Sequence, residues 1–111
     1  MTDELEAQQE AVRQKNRELA HAKGRKVYFE HYRKVHKALL MKQYEPDYPT
    51  AAAQEREAYA DPRYLKTLED LEHWTAQEAL LSLEHQSLSM RFEAWRTRQA
   101  NMRVEKARYG T

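Results

Sequence analysis

Residues 89 to 103, SMRFEAWRTRQANMR, set Phe92 and Trp95 among Arg91, Arg96, Arg98 and Arg103, with Glu93 as the one acid. Arginines grouped like this take phosphate oxygens, and an aromatic ring beside them offers a base a surface to stack on. That is the chemistry of a single-stranded nucleic-acid contact. A plainer arrangement uses the same residues: a buried aromatic seam flanked by arginines whose stems lie along it. On a helix turning roughly 100° per residue, Trp95, Met102 and Phe92 form a central stripe. Arg91 and Arg98 border it on one side, Arg96 and Arg103 on the other, so the seam and the phosphate contacts are compatible.

A second constellation lies in residues 23 to 37, KGRKVYFEHYRKVHK. Lys23, Arg25, Lys26, Arg33, Lys34 and Lys37 are interleaved with Tyr28, Phe29, His31, Tyr32 and His36, and Glu30 is the single acid. A solvated basic face is the plainer reading, and a second phosphate-binding face is the functional one.

Catalytic chemistry finds little support. The five histidines form no H-x-x-x-H pair; Glu18 to His21 is the one E-x-x-H spacing, and Asp70 to His73 substitutes Asp. A di-iron bundle needs two such motifs and two further inward carboxylates. Glu69 and His73 read better as an i,i+4 surface pair. No glycine-rich loop cradles a phosphate, so the expectation is a non-enzyme with no metal and no cofactor.

The elements that must position these residues are helices. Two glycines, three prolines and one-third charged residues describe long helices that bury one stripe and solvate the rest. The first helix is expected from Asp3 to about Gln43: Leu5, Val12 and Leu19 are seven apart, and Tyr28, Tyr32, Val35 and Leu39 continue at steps of four, three and four. Gly24 interrupts it with a residue that costs roughly 1 kcal/mol against Ala, marking residues 1 to 24 as an extension able to hinge or fray. In YEPDYPT, Pro46 and Pro49 bar helix and Thr50 is placed to cap a short one from Ala51 to Tyr59. Asp61 before Pro62 starts the last helix, which meets no breaker until Gly110, a span of about 70 Å if straight. Its seam reads Leu81, Leu88, Trp95 and Met102 at intervals of seven, with Phe92 in the adjacent row. Leu80, Leu83, Ser87 and Met90 make another row to one side.

These elements predict an all-α single domain, a long helical hairpin or coiled-coil-like bundle with a short intervening helix. Two long helices cannot enclose a core, and the double apolar row exceeds what one partner helix covers, so a homo-oligomer completes it. The net charge of +1 conceals alternating blocks: about −4 in residues 1 to 12, +8 in 13 to 43, −7 in 44 to 85 and +4 in 86 to 111. Basic blocks of that size are the usual footprint of a polyanion. There are no cysteines, no apolar run near the roughly 20 residues of a membrane span, and an acidic opening unlike a signal peptide, so a cytoplasmic chain with no membrane partner is expected.

Taken in order, the basic tyrosine-bearing first helix, the break DYPTAAAQ, the restart ADPRYLKTLEDLE and the stretch LLSLEHQSLSMRFEAWRTR resemble the UvsY-like phage recombination mediators over residues 28 to 99. The resemblance implies a helical, ring-like oligomer that binds single-stranded DNA and helps load a recombinase where a single-strand-binding protein blocks it. In a phage-encoded protein the site of action is the bacterial host cytoplasm. It carries the DNA-binding role to the basic residues of the two blocks. Two other classes use the same helices: a protein-binding adaptor or phage inhibitor of a host enzyme, contacting through acidic residues 55 to 84, and a helical virion component.

Overall fold

The computed structural model describes residues 2–109. Among them are three helices and no strand: α1 (Thr2–Tyr44), α2 (Ala51–Ala60) and α3 (Pro62–Tyr109). The expected all-α class with a short helix between two long ones is what the chain adopts. Gly110, the expected terminator, lies outside the described residues.

Local chemistry sets the boundaries. At the end of α1 the amides of Asp47 and Tyr48 donate to the Tyr44 carbonyl at 3.1 and 3.0 Å, closing the turn before Pro49. Thr50 is extended (φ −105°, ψ 148°), and its hydroxyl accepts from the amide of Ala53 at 3.2 Å, satisfying one of the free donors that open α2. Asp61 ends α2 and begins α3. Its own amide donates to Ala58, its carboxylate accepts from the Arg63 amide at 2.8 Å, and Pro62 follows where a missing N–H is no loss. Helix α1 runs unbroken through Gly24.

The chain forms two compact units. One comprises Ala20–Ala79, and its core is Leu40, Ala58 and Tyr64, with Met41 and Leu68 packed against them. Lys26 pairs with Glu78 and His36 bonds Thr67, so in this unit α1 and α3 run antiparallel. Thr67 donates its hydroxyl hydrogen to the Arg63 carbonyl, which leaves its oxygen to accept from His36 Nδ1 at 2.8 Å. The ring of Trp74 stands between those of His21 and His73, edge-on to both at 5.2 and 5.0 Å. His73 is thus engaged by its neighbour, and the surface pair expected between it and Glu69 does not form.

The buried face of α1 in this unit is Ala22, Phe29 and Leu40, with His36 half-buried in line. Tyr28, Val35 and Leu39, which share the helical spacing that signalled α1, are each about half exposed.

The other unit joins the first part of α1 to the last part of α3. Lys15 reaches Glu84 at 2.7 Å and Glu18 at 3.1 Å, and the Glu84 bond, then the Glu18 bond, hold its ammonium above the ordinary lysine value. Trp95 is the buried residue here, while Leu5, Val12, Leu19, Leu81, Leu88 and Phe92 are half-buried. No described helix is long and apolar enough to cross a membrane.

Candidate nucleic-acid interface

In the unit of Trp95, the arginine stretch lies in the C-terminal part of α3, beyond the Lys15–Glu84 pair. Trp95 is buried, and its ring stacks on Phe92 at 6.2 Å and 16°, so one face is occupied within the chain. Leu81, Leu88 and Phe92 line the same side, but Met102 is half exposed. An open cleft of about 800 Å³ runs beside the seam, with Leu5 and Gln9 of α1 facing Phe92, Arg96, Gln99 and Arg103 of α3.

The four arginines are not equivalent. Arg96 donates to Glu93 at 3.3 Å and lies over the Phe92 ring at 5.9 Å. Arg91, Arg98 and Arg103 are exposed and form no ion pair among the described residues. Free guanidiniums can take phosphate oxygens without giving up an intramolecular partner.

In the unit of Trp74 the basic face is partly consumed by the fold. Lys26 pairs with Glu78 at 3.0 Å, which holds its ammonium above the ordinary value. Lys37 donates to the Tyr59 hydroxyl at 2.8 Å, lies over that ring at 4.5 Å and reaches Glu55 at 3.4 Å. Both were expected to bind nucleic acid, and both are committed to partners distant in sequence. Arg25 lies 5.0 Å from the rings of Tyr28 and Phe29. Lys23, Arg33 and Lys34 are exposed and unpaired among the described residues. Arg33 and Lys34 border a recess of about 350 Å³ with His31, Leu71 and Thr75.

The tyrosines of α1 make poor stacking platforms. Tyr28 is stacked on Tyr32 at 5.6 Å and 7°, Tyr32 on His36 at 5.1 Å, and Arg25 sits over the Tyr28 ring. A base would have to displace one of these neighbours, so the free cations are the available chemistry.

Sequence reasoning missed two features, one of them at a residue it had taken only as a helix cap. Asp61 is buried and tied by Arg63 and then Tyr44, which hold its carboxyl far below the usual range. Arg63 is 2 residues from it and Tyr44 is 17, so DPR was the available signal for the first partner alone. The other feature is the Trp95 indole N–H, which is buried with no acceptor. Among the described residues no group of three or more His, Asp or Glu could hold a metal ion. No family model matches the chain, and no curated protein or solved structure matches it.

Proposed function

We propose that the chain is a non-enzymatic, self-associating helical protein that binds single-stranded DNA, acting in recombination as a mediator beside a recombinase and a single-strand-binding protein. The observation that carries the binding is the free set Arg91, Arg98 and Arg103, exposed on one helix without carboxylate partners among the described residues. The role in recombinase loading rests on the resemblance to UvsY-like mediators. Self-association is supported by the row Leu80, Leu83 and Met90, which is 50, 65 and 66 % exposed on the chain alone. Apolar side chains in a line that long are covered by protein in a stable assembly.

The test joins two measurements on the full chain. Binding to a labelled oligothymidylate should weaken steeply with salt, with a log–log slope of roughly 0.7 per phosphate neutralised, and show little sequence preference. Light scattering should give a mass above the 13.3 kDa of one chain. The same exposed row favours a second reading, a protein-binding adaptor. Indifference to DNA, together with association, would select it.

A further inference from the structure

The opening of α1 carries Asp3, Glu4, Glu6 and Glu10 and no basic side chain, and it belongs to the same compact unit as the arginine stretch of α3. The Lys15–Glu84 bond fixes the antiparallel register. Because both helices advance equally per residue, equal steps back from Lys15 and forward from Glu84 bring Asp3 level with Arg96. The cleft shared by Leu5, Gln9, Phe92, Arg96 and Arg103 agrees with that register. Packed helices stand about 8–10 Å apart, close to the screening length at physiological salt, so the acidic segment lies within the field of the arginines.

Three observations make this docking loose. No ion pair joins Asp3, Glu4 or Glu6 to an arginine among the described residues, and Glu10 is engaged by Arg13 and Arg17 of its own helix, at 3.1 Å each. Leu5 is only half-buried. The Trp95 indole N–H is enclosed without an acceptor, an unmet donor that separating the helices would return to water.

We infer that residues 3 to 10 are a built-in competitor for the polyanion, an acidic arm that lies in the field of Arg91, Arg96 and Arg98 and that nucleic acid must displace. The inference rests on the DNA-binding reading of those arginines. A phosphate backbone and the arm carry the same sign, so they cannot share the face without repulsion. Displacement would remove the opposing field from the arginines and return the indole N–H to water, coupling binding to opening.

The experiment uses the full-length chain with Asp3→Asn, Glu4→Gln and Glu6→Gln, leaving Glu10 to hold Arg13 and Arg17. A control of equal net charge carries Asp47→Asn, Glu69→Gln and Glu72→Gln, three exposed acids of the other unit. At low salt the arm variant should bind labelled oligothymidylate about three- to tenfold more tightly than the control, a difference that shrinks as salt rises. In a Trp74→Phe background, acrylamide should quench Trp95 more strongly in the arm variant than in the parent without DNA. Equal affinities for arm variant and control, with the wild type binding, overturn the inference and leave the DNA reading intact. Failure of all three proteins to bind removes the DNA reading and the inference with it.

Discussion

The phenolic hydroxyl of Tyr44 donates to Oδ2 of Asp61 across 2.7 Å, so the last residue of α1 holds the residue that starts α3. Arg63 bonds both oxygens of the same carboxylate at 3.0 and 2.9 Å. A carboxyl whose folded pKa is depressed contributes stability that is present above the unfolded Asp value, near 4, and lost as pH falls below it toward the folded value. Asp61→Asn should therefore cost about 1–3 kcal/mol at neutral pH, through the lost cap and charged hydrogen bonds. Urea unfolding at pH 7 and pH 2.5 checks it: the gap between variant and wild type should narrow at the lower pH.

Gly24 sits in the middle of α1, and a Cβ built there meets nothing within 4 Å. With no steric objection, Gly24→Ala should stabilise the chain by about 0.5–1 kcal/mol through the reduced freedom of the unfolded state. Thermal melting followed by circular dichroism should show a rise of a few degrees. A fall would mean that the helix needs the glycine.

Leu83→Glu with Met90→Glu changes two side chains that are already two-thirds exposed, so helical content should stay at the wild-type level. Charges on that row oppose its burial against another chain. Sedimentation should move toward the mass of one chain, and an unchanged larger mass would show that association uses another face.

Free and paired cations should behave differently. Arg98→Glu with Arg103→Glu should lower single-stranded DNA affinity about tenfold or more at moderate salt and flatten the salt slope. Lys26→Gln, which removes a cation already bound to Glu78, should leave affinity close to wild type. Equal losses would place the DNA on both faces.

Trp95 fills the seam with its ring while its N–H bonds nothing. Trp95→Ala should cost about 3 kcal/mol or more as a large-to-small change in a packed site. Trp95→Phe should cost far less, because the ring stays and the unmet donor is gone. Denaturant midpoints of the two variants decide it, and equal losses would mean that the N–H has a partner.

The breaks in the chain were legible because their chemistry is local. Thr50 and Asp61 cap within three residues, and Pro49 and Pro62 act on their immediate neighbours, so the helix boundaries follow from short stretches. The packing face of α1 was not legible. Ala22, Phe29 and Leu40 compete with Tyr28, Val35 and Leu39 on one helix, and the choice depends on the shape of α3 dozens of residues away. For the same reason the basic block overstated the available cations: Lys26 and Lys37 meet Glu78 and Tyr59 only once the chain has folded. Within the arginine stretch Glu93, its one acid, pairs with Arg96 alone, a local contact that an i,i+3 spacing makes legible.

Each compact unit contains one tryptophan, Trp74 among histidine rings and Trp95 beside Phe92. The molecule therefore carries two native optical probes, one for each half of its packing. Chains that retain a single indole can report separately on Ala20–Ala79 and on the helix ends. Coincident fluorescence transitions would mark one cooperative melting event, and separated transitions would mark a chain whose halves open at different denaturant concentrations.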